Sequence, residues 1–298
     1  MDRAVTVIGD ALVDVHVRPS ATPRPDADVP AEIRLEPGGQ GANLAVRLAR
    51  RGLSVRLRCA LASDAAGQWL RSSLEADGVN VAAAGDATGS VVVIVGPDGA
   101  RTMLSHRIPL VPLLPGQPEP AAWRVVSGYV LVEGEAAAVL GRAAPGARTV
   151  VAGCALAEGE HHAWLRAVAD IGVDLLVLNA AEAAALAPEV EPGRCAAELS
   201  DRVGGLVVVT DRRGASVSSG SDVLRRDVPW HPDGVDSTGA GDAFTAGLVA
   251  TVMDERWPPT LDLLERGLDD AARLAASVAR VPGAQGRVEG EGTRGDPA

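Results

Sequence analysis

VDLLVLN at residues 173–179 and GLVVVT at 205–210, joined by an alanine-rich stretch, are the runs whose reading decides the fold class. A strand with one face in water alternates apolar and polar side chains, whereas a run apolar at nearly every position must be covered on both faces. Continuous runs of this kind, separated by helical segments, indicate a parallel sheet with helices packed on both sides. The same alternation extends outward in both directions. VTVIG (5–9), an amphipathic stretch from Asn43 to Arg51, SVRLRCAL (54–61), AAGQWLRSSLEADG (65–78) and SVVVIV (90–95) precede it. VVSGYVLV (125–132), RTVVAG (148–153) and a helical stretch from Glu160 to Ile171 lead into it, AAEAAALA (180–187) lies between the two quoted runs, and two further helices close the chain.

Two segments break this rhythm. Residues 13–37 alternate as VDVHVRP and EIRLEP around the proline-rich SATPRPDADVP, and residues 90–107 read as a hairpin turning at PDG, residues 97–99. Together they suit a small accessory sheet beside the main one, with a face to lay over a cleft; ordinary surface hairpins would read the same way. From Gln285 onward glycine and charge dominate, which predicts a flexible tail over 285–298.

The chain has 298 residues, 47% of them hydrophobic, enough for one large core. Its 28 basic and 39 acidic residues leave a net charge of −11, which repels phosphate backbones and acidic lipid surfaces and argues against nucleic acid as a partner. Cys59, Cys154 and Cys195 are far apart and lack C-x-x-C spacing, so neither a disulfide framework nor a zinc site is expected, and a reducing cytoplasm fits best. Without a basic, then apolar leader or a run of about 18 apolar residues, the sequence predicts neither export by that route nor a membrane span. All 28 basic residues are arginine. That excludes a Walker-type phosphate loop and Schiff-base chemistry, both of which need a lysine amine.

Chemistry concentrates in GVDSTGAGDAF, residues 234–244, just ahead of an apolar helical run. The helix is expected to begin near Gly239, capped by Ser237 or Thr238, with Asp236 forming a turn before it. Small residues leave the first N–H groups of a helix unobstructed, and these donors with the positive end of the dipole make an anion site. Asp242 in that first turn has two readings: it complements the dipole, or it faces the anion and accepts a proton from an attacking hydroxyl. The G-x-G here is a poor dinucleotide fingerprint, lying late in the chain and lacking a third glycine.

VDSTGAGDAFTAGLVA (235–250) closely resembles the C-terminal motif of the ribokinase-like, or PfkB, carbohydrate kinases, and PGGQGANLAVRLARRG (37–52) resembles their N-terminal motif. The resemblance also takes in VIGDALVD (7–14), NAAE (179–182) and a late PGAQ, so that it spans nearly the whole chain. It implies a ribokinase-like three-layer α/β/α domain over about 1–284, with a mainly parallel central sheet and a discontinuous β-sheet lid at about 14–37 and 88–108. It implies an ATP-dependent sugar kinase that needs no Walker lysine. Asp242 would be the general base, with Gly239, Ala240 and Gly241 stabilising the transferring phosphoryl group. Asp14, Gly38, Gly39 and Asn43 would line the sugar pocket. Asn179, Glu182, Thr210 and Gly214 would serve the nucleotide, Glu182 organising Mg²⁺ through water and Asp236 a monovalent cation such as K⁺. A homodimer through the lid is a further implication.

Several departures bear on the substrate. Leu12 stands where ribokinases often have an asparagine facing the sugar, Gln40 replaces a common lysine, and DRRG (211–214) is a shortened version of the nucleotide-binding turn. A single tyrosine, Tyr129, and a single phenylalanine, Phe244, leave few aromatics for stacking a nucleobase, which favours a sugar over a nucleoside. A nucleoside kinase of the same family is the alternative, and a ligand-binding relative without turnover is a third reading, motivated by the short DRRG turn.

Overall fold

The structure is a computed structural model that describes residues 3–96, 101–114, 121–141, 146–219, 222–227, 237–253, 257–288 and 291. The PDG turn, Asp236 and residues 292–298 lie outside the described residues.

Among the described residues nine strands form one sheet. Its parallel part comprises β1 (Ala4–Ile8), β4 (Ser54–Ala60), β5 (Val79–Ala84), β8 (Trp123–Ser127), β9 (Arg148–Ala152), β10 (Leu175–Asn179) and β11 (Leu206–Asp211). β12 (Gly214–Ser219) and β13 (Asp222–Asp227) continue one edge as antiparallel strands. The order is β13-β12-β11-β10-β9-β8-β1-β4-β5. The apolar runs behave as their composition requires. Leu175 and Val177 of β10 bury on one face, in a core shared with α1 (Gln40–Arg50), α7 (Ala240–Val252) and α8 (Leu261–Val278). Leu176 and Leu178 bury on the other, against α4 (His161–Asp170), α5 (Ala180–Leu186) and α6 (Cys195–Val203). This is the expected three-layer α/β/α arrangement.

The two alternating segments do form a separate four-stranded sheet. β2 (Leu12–Pro19), β3 (Ala31–Gly38), β6 (Gly89–Val95) and β7 (Arg101–His106) lie in the order β3-β2-β6-β7, with β2 and β6 parallel and both outer pairs antiparallel. Because β2 follows β1 after only Gly9, Asp10 and Ala11, this sheet, the expected lid, is rooted directly beside the end of a central strand.

Two expectations need correcting. VVSGYVLV is not one strand: β8 ends at Ser127 and residues Gly128–Val132 turn into a 3₁₀ segment. At Gly128 a side chain would collide with the Ala152 carbonyl, and the Gly128 carbonyl accepts a hydrogen bond from Trp164 Nε1 at 2.8 Å, so the chain is turned aside where apolarity alone read strand. The packed chain also continues past Gln285. Gln285 is buried, and the Glu291 carboxylate is held by Arg47 Nη1, 2.9 Å from each oxygen, with Arg50 Nη1 3.4 Å away. Arg50 is held in turn by Asp77 through paired bonds of 3.0 and 2.9 Å.

Candidate active site

The C-terminal ends of the parallel strands bring most of the expected residues to one cleft, where ligands of open α/β sheets bind. A cavity of about 150 Å³ is lined by Gln40, Gly153, Asn179, Glu182, Thr210, Gly239, Gly241 and Asp242, among others. An adjoining cavity of about 240 Å³ shares Asn179, Thr210, Gly241 and Phe244 and adds Gly214, Ala272, Ala275 and Ala276. Asn179, Thr210 and Gly214, expected on the nucleotide side, therefore do meet. The alanine face of α8 was not foreseen, since small apolar residues at helical spacing read as core.

The entry to α7 differs in detail from the sequence expectation. Neither Ser237 nor Thr238 is the cap: the N-cap is Gly239, in the left-handed region at φ 76°, with no side-chain cap bond. Only glycine suits it, because a side chain there would also strike Ala284. At Gly241 a Cβ would meet nothing within 4 Å, so the first turn of α7 opens onto empty space. That leaves the Gly239 and Gly241 end of the helix beside Asp242 as donors of the kind that suit a phosphate, while the Ala240 N–H is taken up by the Ser237 carbonyl at 3.2 Å.

Asp242 is partly accessible to this cleft yet walled in by protein. Asn43 Nδ2 donates to its Oδ2 at 2.8 Å. Burial pushes its carboxyl up to about 7, against the lowering effect of side-chain hydrogen bonds from Asn43 and Gln40; Glu182 adds to the rise and Arg47 opposes it. Gln40 is itself fixed, its Oε1 accepting from Ser127 Oγ at 2.7 Å and from the Gly128 N–H at 3.0 Å, and its Nε2 donating to the Gly153 carbonyl at 2.7 Å. It is thus a neutral amide held in one orientation.

Asn179 and Glu182 form a capping box at the start of α5, each side chain accepting the other's backbone N–H at 2.9 Å. Gly153 makes room for the Glu182 carboxylate, which a side chain at 153 would overlap. Burial raises the Glu182 carboxyl above its ordinary range. Among the described residues no group of three or more His, Cys, Asp or Glu could form a metal cage. One cap-held carboxylate in the cleft fits Mg²⁺ all the same, which keeps several waters and takes only one or two protein carboxylates when phosphates supply the rest.

On the lid side, Asp14 of β2 pairs across the strands with Glu36 of β3. Its carboxyl is pushed up to about 7, first by burial and then by Glu36. Gly38 is the neighbour that permits this placement, because any Cβ there would overlap the Asp14 carboxylate. Gly39, at φ 95°, turns the chain into α1, whose first N–H groups are taken by Asp10: Gly41 by its side chain at 3.2 Å and Ala42 by its carbonyl at 2.9 Å. The sequence reading missed what Asp10 does next. It forms an ion pair with Arg107, whose guanidinium lies 3.6 Å from the Tyr129 ring centroid. These three residues line a cavity of about 360 Å³ that is otherwise largely apolar, with Ile108, Pro109, Leu110 and Val130 in its walls. Tyr129 and Phe244, the scarce aromatics, thus each line a cavity.

The pfkB carbohydrate kinase family matches residues 2–286. The chain belongs to this family. Solved structures of other pfkB-type kinases superpose on nearly all of it. Adenosine kinase from Sinorhizobium meliloti is 22% identical with a TM-score of 0.75 over 96% of both chains. Aminoimidazole riboside kinase from Salmonella enterica is 26% identical, with a TM-score of 0.72 over 95% of both. Arabidopsis thaliana ribokinase, solved with ribose and ATP, is 20% identical, with a TM-score of 0.76 over 96% of this chain and 95% of that one. No curated protein matches. The fold is thus that of the ribokinase-type sugar and nucleoside kinases, and among the described residues no helix is long and apolar enough to cross a membrane.

Proposed function

We propose that this pfkB-family member is an ATP-dependent kinase that moves the γ-phosphoryl group to a hydroxyl of a small, uncharged sugar. The observation carrying the proposal is Asp242 itself, a carboxylate in the first turn of α7 beside an open N–H cradle. Phosphoryl transfer needs positioning and charge stabilisation more than covalent chemistry. The N–H groups of Gly239, Ala240 and Gly241 are the anion hole, that of Ala240 exchanging its long bond to the Ser237 carbonyl for the phosphate, and donors of this type contribute about 100- to 1,000-fold each. Asp242 takes the proton of the attacking hydroxyl, a role worth about 100- to 10,000-fold. Asp14 anchors the other hydroxyls, with Gly38, Gly39 and Asn43 around it. Glu182 and Asn179 would hold Mg²⁺, largely through water, and the ion would supply charge neutralisation on the phosphates. Thr210, Gly214 and the α8 alanines flank the rest of the nucleotide. A monovalent cation at Asp236 and a cytoplasmic location belong to the same reading, as does a homodimer through the lid, where Ile33, Leu35, Met103 and Leu104 are exposed.

An uncharged acceptor is favoured because Arg107, the arginine lining the 360 Å³ cavity, is already neutralised by Asp10, and because Asp14 carries a second carboxylate, Glu36, as its cross-strand neighbour. The size and apolar walls of that cavity, with Tyr129 under Arg107, support a second reading in which the sugar carries a flat base. ADP release with ATP and Mg²⁺ over a panel of sugars and nucleosides tests both. Asp242→Asn should lose at least about 100-fold in kcat. In the parent, kcat/KM should fall as pH drops through about 7, because a base works only when ionised and burial holds Asp242 near that value. Turnover surviving in Asp242→Asn would refute the assignment.

A further inference from the structure

Asn43 is 5% exposed, and its amide is engaged at both ends: Nδ2 donates to Asp242, while Oδ1 accepts from Gln285 Nε2 at 3.0 Å. Gln285 is 8% exposed and comes from the segment after α8, more than two hundred residues away in the chain. The two ends of an amide are nearly equal in size, so hydrogen bonding decides which one faces a neighbour. Turned round, Asn43 would set an oxygen against the Asp242 carboxylate, replacing a donor with a repelling acceptor.

The orientation of Gln40, the other amide at Asp242, is set by Ser127 and the Gly128 N–H, as described above. For Asn43 the corresponding contact is Gln285. The backbone around Gln285 is anchored independently of its side chain: Arg50 Nη1 donates to the Gln285 carbonyl at 2.8 Å, and Arg47 Nη2 to the Ala284 carbonyl at 2.7 Å.

We infer that Gln285 is a positioning residue for phosphoryl transfer: by donating to Asn43 Oδ1 it keeps Asn43 Nδ2 turned toward Asp242. The inference rests on the reading of Asp242 as the base. It matters most once the carboxyl has taken the substrate proton, because a protonated Asp242 no longer selects a donor, and Gln285 then preserves the amide orientation for the next cycle. The charged groups bearing on Asp242 are Arg47 of α1 and Glu182 of α5, and neither can substitute for the Asn43 hydrogen bond.

The test compares Gln285→Glu and Gln285→Met with the parent, each alone and in an Asn43→Ala background, by kcat/KM from the acid limb to the alkaline plateau. Glutamate at 285 accepts from Asn43 and draws Nδ2 away from the base. The acid limb should then move up by about one pH unit, the scale of one hydrogen bond to a charged group. At pH 7 this is about a five-fold loss, recovered on the plateau, with KM for ATP unchanged. Gln285→Met should shift the limb the same way by less, and both effects should largely vanish in Asn43→Ala. An unshifted limb, a loss equal at every pH, or a Glu effect undiminished in Asn43→Ala would overturn the inference. Thermal melts near that of the parent establish that the variants fold. Asp242→Asn, run alongside, separates the two claims: if it is inactive while the Gln285 variants behave as the parent, only the positioning role fails; if it turns over, the base fails and the positioning role with it.

Discussion

Replacing Glu291 with alanine would leave the Arg47 guanidinium buried without its counter-charge. The two side chains are 0% and 2% exposed, and Arg47 Nη1 reaches both carboxylate oxygens at 2.9 Å. Removing one partner of such a pair costs about 3–5 kcal/mol, because the remaining charge stays out of water. For a domain of this size that corresponds to a fall in Tm of roughly 5–15 °C. Urea titration followed by circular dichroism should show the midpoint falling with little change in slope, and salt should hardly alter the difference because a buried pair is poorly screened. Arg47→Met combined with Glu291→Leu should recover most of the loss, since apolar residues of similar volume replace buried ion pairs at little net cost. The double variant should remain about 1 kcal/mol short, because Arg47 Nη2 also satisfies the Ala284 carbonyl. A loss below about 1 kcal/mol for Glu291→Ala, the value of an exposed pair, would show that residues 284–291 do not clasp α1 in solution.

Two further outcomes follow from the lid. The Asp14 carboxyl, raised to about 7, keeps its proton in the folded protein over a pH range where the unfolded chain has lost it, so stability falls as pH rises from about 4 to 7. Asp14→Asn should therefore raise Tm at pH 8, by the equivalent of about 1–4 kcal/mol, give no gain below about pH 4, and weaken acceptor binding; an unchanged Tm at pH 8 would contradict the burial argument. Gly38→Ala puts a methyl group into the Asp14 carboxylate. Overpacking of about 1–3 kcal/mol predicts a rise of about ten-fold or more in acceptor KM with KM for ATP little changed, and a normal acceptor KM would place the sugar elsewhere.

The sheet and its two helical layers were legible because Leu175–Leu178 and Val207–Val209 are apolar at successive positions, a local property that needs no partner to be recognised. The second sheet was legible in the alternation of Val13, Val15 and Val17. The residues expected in the cleft came from the family resemblance, Asp242 from its glycine-rich motif, Asn179 and Glu182 from NAAE and Thr210 from the end of GLVVVT, and the structure gathers these four around one cavity. What stayed hidden depends on distant partners. Arg47 and Arg50 look like solvent-facing charges on a helix, and the glycine-rich segment after Gln285 looks like a tail; the two guanidinium groups and the Glu291 carboxylate are buried because each supplies the other's counter-charge. The Asp10–Arg107 pair joins a strand end to the far root of the lid, and the Gly239 cap owes its necessity to Ala284, which no local pattern announces.

The segment running from Gly283 to Glu291 touches the lid at Glu36, the α7 cap at Gly239, and α1 at Asn43, Arg47 and Arg50. During synthesis α1 leaves the ribosome more than two hundred residues before these partners exist, and contacts so distant in sequence form late. The central strands can pair while the nascent chain is still growing, yet the α7 cap and the Asn43 amide that faces Asp242 gain these contacts only when this last clasp arrives. An interrupted chain would therefore hold the architecture of the fold while its cleft still lacked the contacts that complete it.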